Sequence, residues 1–184
     1  MPLTTLDTSA ALVLIDLQKG VVGIPTAHPG AEIVERAARL ARAFRGRNLP
    51  VVLVRVTGMA PGRTEAGTRR PFPPDFAELV PELEQQPEDY VVTKERVGAF
   101  IGTSLDEYLR GRGVTQIFLA GIATGSGVEA TGRSAYDAGY NVVFVVDAMT
   151  DRSADTHRHS VETVFPRIGE TVTTDDLVER LEKN

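Results

Sequence analysis

The sequence predicts an α/β fold, a three-layer α/β/α sandwich with a mainly parallel central sheet. Apolar runs alternate with amphipathic segments along the 184 residues. The runs are continuously apolar, as expected for strands that are buried on both faces of a parallel sheet. Two of them end on a carboxylate, where such sheets place their sites. The length predicts a single domain over residues 1–184.

The composition limits which partners and which cellular compartment are expected for this protein. Hydrophobic residues make up 42% and charged residues 24%, which is typical of a globular protein. Because 25 acidic residues outnumber 20 basic ones, we expect no nucleic-acid partner. The first apolar run is short and is interrupted by Asp16, so neither a signal peptide nor a membrane span is predicted. The absence of cysteine excludes thiol catalysis and thiolate metal sites within these residues and indicates a cytoplasmic protein.

The first half of the chain predicts two buried strands and a helix. The run "AALVLID" is the first strand, and "GAEIVERAARLARAFRG" follows with an apolar stripe on one helical face. "VVLVRVTG" is the second strand. The next stretch, residues 59–90, holds six of the 11 prolines and cannot form long regular structure. A loop of that length is usually a lid, a binding loop or a subunit contact.

The second half continues the alternation. "YVVTK" is a short strand, "TSLDEYLRGRG" a helix with a Thr/Ser start and a Gly stop, and "TQIFLAGIA" the next strand. A glycine-rich bend then opens the helix "VEATGRSAYDAGY", and "NVVFVVDA" is another buried strand. Helices at about residues 153–165 and near "TTDDLVERLEKN" complete the chain.

The glycine-rich bend admits a cofactor interpretation. Gly125, Gly127 and Ala130 spell G-x-G-x-x-A, and Asp147 follows at the end of the next strand, as in dinucleotide-binding folds. However, "GIAT" separates the strand from the motif, whereas the first glycine should turn directly off the strand. The alternative is a tight turn or a close helix–strand approach, which also needs small residues. We expect no cofactor.

Four segments in order resemble the isochorismatase-like hydrolases of the cysteine hydrolase superfamily. They are "LVLIDLQKG", "VVTKERVGAF", "AGIATGSGVEATGRSAYDAGYNVVFVVDA" and "HRHSVETVFPRIGE", and the resemblance extends from about residue 12 to residue 169. The superfamily also includes nicotinamidases and N-carbamoylsarcosine amidase-like enzymes. Members commonly form dimers or tetramers, so the resemblance implies a homodimer or homotetramer.

The resemblance implies a site. The family's catalytic Asp and Lys match Asp16 and Lys94, and Gly127 stands where the cysteine hydrolases carry their nucleophile. The resemblance also implies a cis peptide bond between Ile122 and Ala123. The residues that it implies for substrate binding are Gln18, Phe100, Ala123, Thr124 and Ser126.

The residue types themselves suit proton transfer. A carboxylate such as Asp16 at the end of a buried strand is partly desolvated, which raises its pKa toward neutrality; the alternative is a helix or loop cap. Lys94 can hold negative charge on Asp16 or on a substrate oxygen, and the alternative is an ordinary surface salt bridge. The backbone amides of "ATGSGV" are expected to face a developing anion.

The glycine at position 127 directs the functional hypothesis. True isochorismatases resemble this chain in having glycine there, and they cleave a vinyl ether by acid catalysis. We therefore expect a hydrolase that acts on a vinyl ether or similar C–O bond of a small molecule through non-covalent acid/base catalysis by Asp16. Two alternatives stay open: a catalytically impaired member that binds a small molecule or assembles with a partner, and an amidohydrolase that uses Ser126 or Thr124 as nucleophile.

Several remaining residues carry weaker expectations. Arg63, Arg69 and Arg70 of the long loop can pair with a carboxylated substrate. No metal site is expected, because His157 and His159 are two positions apart on a helix and do not face one site. We expect those histidines on a helix surface or a subunit interface. Asp147 and Asp151 are expected to be loop caps.

Overall fold

A single parallel sheet organises the chain. The computed structural model describes residues 3–65 and 71–183. The strands are β1 (Ala10–Ile15), β2 (Val51–Val56), β3 (Tyr90–Lys94), β4 (Gln116–Ile122), β5 (Asn141–Thr150) and β6 (Glu170–Val172). They lie in the order β3-β2-β1-β4-β5-β6, and every neighbouring pair is parallel. The α/β prediction is confirmed.

Helices cover both faces of the sheet. They are α1 (Lys19–Val22), α2 (Gly30–Gly46), α3 (Leu105–Gly111), α4 (Glu129–Asp137), α5 (Ala154–His159) and α6 (Thr174–Lys183). Leu12 and Leu14 of β1 pack with α2 and α6, whereas the alternate residues Val13 and Ile15 pack with α3 and α4. Because both faces are covered, every residue of β1 and of β4 is buried, which explains why these strands are apolar throughout except for Gln116 at the start of β4.

The structure differs from the predicted elements where helices are irregular or strands are short. The glycine-rich bend is a π-helical turn, Thr124–Val128, that runs directly into α4. The helix predicted at about residues 153–165 is α5, followed by a second π-helical turn, Ser160–Val164, and a 3₁₀ turn, Phe165–Arg167. The prediction missed α1 and β6, which have four and three residues and too little periodicity to detect.

The long proline-rich loop lies over the carboxyl end of β1. The backbone of Gln18 forms an isolated antiparallel bridge with Leu79, and the amide of Gly20 donates to the Phe76 carbonyl at 3.0 Å. The loop therefore covers the edge of the sheet where strand ends place side chains. Within the described ranges, no helix is long and apolar enough to cross a membrane.

Candidate functional site

A cleft of about 680 Å³ opens at the carboxyl ends of β1, β3 and β4. Asp16 directly follows β1, Lys94 is the last residue of β3, and Ala123 directly follows β4. The cleft wall includes Asp16, Lys94, Ala123, Ser126 and Gly127. Five residues that the sequence proposed for the site therefore share one cleft.

Asp16 and Lys94 form a buried ion pair at the base of this cleft. Lys94 Nζ lies 2.8 Å from Asp16 Oδ2 and also donates to the carbonyl of Arg96 at 3.1 Å. Only 6% of Asp16 and 3% of Lys94 is exposed. The predicted alternative for Lys94, a surface salt bridge, is therefore wrong.

The carboxyl of Asp16 is desolvated by its burial. Desolvation raises the pKa of its carboxyl to about 6, although the charge and hydrogen bond of Lys94 act in the opposite direction. The second oxygen, Oδ1, is buried and accepts no hydrogen bond from a described residue. A carboxyl in this state can donate or accept a proton close to pH 6.

Gly127 faces the carboxyl of Asp16. A Cβ atom at position 127 would lie 3.3 Å from Asp16 Oδ2, 3.0 Å from Ile15 Cγ2 and 3.6 Å from the Val97 carbonyl oxygen. A side chain here would thus point at the ion pair, which is the place for a nucleophile with an adjacent base. The chain has no cysteine, and glycine places no side chain at this position.

The turn that carries Gly127 follows the cis peptide bond Ile122–Ala123, as the sequence resemblance implied. The expectation that its backbone amides face a developing anion is wrong for three of them. The amide of Gly125 donates to Asp151 Oδ2 at 2.9 Å, and those of Ser126 and Val128 donate to the Ala123 carbonyl at 3.2 Å. The π-helical winding brings the amides of Ser126 and Val128 back to Ala123, so all three donors are occupied within the protein.

Comparison with known proteins gives this arrangement a family. A family model described as "Isochorismatase domain" matches residues 10–176. YwoC of Bacillus subtilis, an uncharacterised isochorismatase family protein, is 41% identical over 179 residues, or 93% of each chain. The structure of an isochorismatase family protein from Burkholderia thailandensis matches with a TM-score of 0.93 and 42% sequence identity. The match covers 97% of this chain and 98% of the Burkholderia chain. A maleamate amidohydrolase of Pseudomonas putida is 28% identical over 183 residues, covering 93% of this chain and 86% of its own.

The chain belongs to the isochorismatase family of hydrolases. The matched residues include both members of the ion pair and the whole turn around Gly127. Among residues 3–65 and 71–183 of this hydrolase, no group of three or more His, Asp or Glu side chains is placed to hold a metal ion.

Two residues proposed for substrate binding in this isochorismatase-family chain lie outside the cleft wall. Gln18 is fully buried, its Nε2 donates to the carbonyls of Val56 and Phe76 at 3.0 Å each, and its Oε1 accepts from the Val56 amide at 2.7 Å. Phe100 packs against the ring of Tyr140, with 5.8 Å between the ring centroids. Gln18 therefore ties the proline-rich loop to β2, and Phe100 belongs to the core beneath α3.

Thr124 also points away from the cleft. Its side chain is fully buried, and its Oγ1 lies 2.8 Å from Nδ1 of His157 in α5. The ring of His157 stands edge-on to that of His28, with 4.9 Å between centroids. His157 is therefore half-buried, whereas His159 is exposed on the helix surface, as expected. A subunit interface at these histidines stays a prediction.

Gly125 of the G-x-G-x-x-A motif is needed for packing in this family member. A Cβ atom at Gly125 would lie 2.5 Å from Thr156 Cγ2, closer than real atoms approach. A Cβ atom at Gly98 would lie 3.2 Å from the Ala130 carbonyl oxygen. The predicted alternative of close element packing accounts for this motif. Asp147 caps α6, since its Oδ1 accepts from the amide of Thr174 at 2.8 Å.

Sequence reasoning missed two cationic residues of the cleft. Arg96 and Arg152 line it together with Arg63, which the sequence proposed, whereas Arg69 and Arg70 lie outside the described residues. No carboxylate of the described residues lies within 4.0 Å of these three guanidinium groups. They come from three separate loops, so no local motif marks them. Much of the rest of the cleft wall is apolar, formed by Val21, Ile24, Val56, Met59, Phe72, Phe76 and Val97.

Proposed function

We propose that this protein hydrolyses a vinyl ether, or a similar C–O bond, of a small carboxylated molecule by acid catalysis at Asp16. No covalent enzyme intermediate forms. The observation that carries the proposal is the buried carboxyl of Asp16, with its pKa raised to about 6, facing the empty side-chain position of Gly127. Covalent acyl transfer to a thiol has no counterpart in a chain without cysteine.

The reaction begins with proton transfer to carbon. Protonated Asp16 donates its proton to the terminal vinyl carbon, the π electrons form the new C–H bond, and an oxocarbenium ion remains. Water adds to this cation and returns one proton to the Asp16 carboxylate. The resulting hemiketal breaks its C–O bond as its hydroxyl proton passes to the leaving oxygen, which yields a ketone and an alcohol.

The neighbouring residues can stabilise the charges that form during this reaction and bind the substrate. Lys94, 2.8 Å from Asp16 Oδ2, stabilises the carboxylate that forms when the proton leaves. Gly127 provides space beside that oxygen for the vinyl group or for water. Arg63, Arg96 and Arg152 supply guanidinium groups for the substrate's carboxylate, and the apolar wall takes the rest of the molecule.

The serine alternative lacks a base. Ser126 lines the cleft, but its hydroxyl forms no hydrogen bond with a described side chain. A serine nucleophile needs a hydrogen-bonded base to remove its proton. An amide substrate, as the name of the Pseudomonas putida relative suggests, would therefore depend on a nucleophile other than Ser126.

A panel of hydrolysis assays separates these possibilities. The protein, its Gly127→Cys variant and its Ser126→Ala variant are each given isochorismate and a set of small amides. The proposal requires pyruvate release from isochorismate by the unmodified protein. It also requires that Ser126→Ala lose less than about tenfold in kcat/KM, since loss of a true nucleophile costs several orders of magnitude. Activity on amides alone, seen only with Gly127→Cys, would refute it and favour a binding protein.

The remaining expectations are also proposals. We propose that residues 1–184 form one domain of a cytoplasmic protein that assembles as a homodimer or homotetramer. Sedimentation equilibrium at several concentrations measures the mass of the particle against the 19.9 kDa of one chain. A particle of one chain mass at every concentration would contradict the assembly.

A further inference from the structure

We propose that His157 is a positioning residue, which acts with Asp151 to hold the turn Thr124–Val128 in place against Asp16. Its own side chain does not line the cleft. The inference rests on the proposed function, because it takes that turn to be part of the reacting site.

Two hydrogen bonds attach the turn to the segment that follows β5. Thr124 Oγ1 lies 2.8 Å from His157 Nδ1, and the next amide, that of Gly125, donates to Asp151 Oδ2 at 2.9 Å. Thr124 is fully buried, so its hydroxyl depends on a partner within the protein. Consecutive residues of the turn are thus held by one neighbouring segment.

Close packing makes the attachment tight. Gly125 and Thr156 approach so closely that a Cβ atom on the glycine would lie 2.5 Å from Thr156 Cγ2. Two residues further along, the corresponding point on Gly127 is 3.3 Å from Asp16 Oδ2. A displacement of α5, or loss of its hydrogen bond, therefore shifts the wall that faces the catalytic carboxyl.

The surroundings of His157 keep its ring neutral. Burial and the neighbouring His28 lower its pKa, while Asp151 acts in the opposite direction. With the proton of the neutral ring on Nε2, Nδ1 accepts from the Thr124 hydroxyl. The hydrogen-bond acceptor that holds the turn is therefore neutral. A different side chain with an oxygen at the same place can replace it.

Three variants test the inference through amide hydrogen exchange. His157→Leu removes the acceptor, His157→Asn keeps an oxygen close to the position of Nδ1, and His159→Leu alters the exposed histidine of the same helix. We expect exchange of the Gly125, Ser126 and Val128 amides to accelerate by at least about tenfold in His157→Leu only. Equal protection in His157→Leu and the unmodified protein would overturn the inference.

Turnover of isochorismate supplies a second readout that a merely structural role would not move. We expect kcat of His157→Leu to fall by at least about tenfold with KM changed less than about threefold, because misplaced catalytic groups lose rate. His157→Asn should restore kcat to within about threefold. A fall in His157→Leu that follows only the unfolded fraction, without rescue by asparagine, would contradict positioning.

The two readouts separate failure of the inference from failure of the proposed function. If the unmodified protein does not act on isochorismate, the proposed function fails, and hydrogen exchange alone still decides whether His157 holds the turn. If the unmodified protein is active and the turn is equally protected in all variants, the inference fails while the proposed function stands.

Discussion

Lys94 Nζ lies 2.8 Å from Asp16 Oδ2, although Lys94 ends β3 and Asp16 follows β1, two strands that are separated by β2. The parallel register brings them together, since Val56 of β2 pairs with Lys94 and Val54 pairs with Ile15, the residue before Asp16. The lysine side chain reaches across the end of the middle strand. The ion pair is therefore a property of the sheet's strand order.

The pH dependence of kcat/KM should show the pKa of Asp16. Because the protonated carboxyl is the active form and its pKa is raised to about 6, kcat/KM should be constant below about pH 6 and decrease tenfold per pH unit above it. Lys94 lowers this pKa, so Lys94→Met should move the descending limb to higher pH. Initial rates with isochorismate across the pH range measure both curves.

The control for this experiment is Lys183→Met, which removes a lysine at the end of α6 whose side chain is 70% exposed. Its pH profile should coincide with that of the unmodified protein. A descending limb that moves to lower pH in Lys94→Met would show that the lysine does not act on the proton of Asp16.

Gly127→Ala should lose activity while the fold remains stable. Its Cβ would lie 3.0 Å from Ile15 Cγ2 and 3.3 Å from Asp16 Oδ2, so small adjustments admit it. Helix propensity favours alanine over glycine by about 1 kcal/mol, which offsets this crowding. We expect the free energy of unfolding to change by less than about 1 kcal/mol and kcat/KM to fall by at least about tenfold, measured by denaturant titration and by pyruvate release.

The other glycine of the turn, Gly125, cannot serve as a matched control for Gly127→Ala, because a Cβ atom there would clash with Thr156. Gly111, at the end of α3 with nothing within 4 Å of its Cβ position, provides the control, and Gly111→Ala should keep full activity. Undiminished turnover in Gly127→Ala would show that substrate does not use the space beside Asp16.

Gln18→Ala should destabilise the protein. The side-chain amide forms three hydrogen bonds to the backbone of Val56 and Phe76, and Gln18→Ala removes all three. The Phe76 carbonyl keeps the amide of Gly20 as a donor. We expect a decrease in the free energy of unfolding of about 1–3 kcal/mol, measured by urea titration. Gln86→Ala, in an exposed residue of the connecting loop, should change it by less than about 0.5 kcal/mol. Equal decreases in the free energy of unfolding for Gln18→Ala and Gln86→Ala would show that Gln18 does not hold the proline-rich loop against β2.

The fold could be predicted from the sequence where the hydrophobic pattern reflects burial. The continuous apolar strands predicted a covered parallel sheet, and the polar residues at their ends, Asp16 and Lys94, predicted where the site lies. The resemblance placed Gly127 at the position of the family's nucleophile, and the turn brings that residue next to the carboxyl of Asp16. The rule that parallel strands end at one edge of a sheet accounts for a polar site there, whereas the choice of Asp16, Lys94 and Gly127 came from the family resemblance.

No pattern in the sequence marked the contacts between loops that are far apart along the chain. Thr124 and His157 are 33 positions apart, and only the packing of α5 against the turn unites them. Gln18 follows the same strand as Asp16, yet it turns into the protein to bind the backbone of β2. Short polar residues at strand ends can face the cleft or the backbone with equal ease, so their direction required the structure.

The measurement that most directly tests the central claim is pyruvate release from isochorismate by the protein and by Asp16→Asn. Asparagine keeps the size of the side chain but cannot donate a proton from a carboxyl, so kcat/KM should fall by about 10²–10⁴-fold. Asp175→Asn, in a residue with an 81% exposed side chain, should retain full activity. Full turnover by Asp16→Asn would contradict acid catalysis at Asp16.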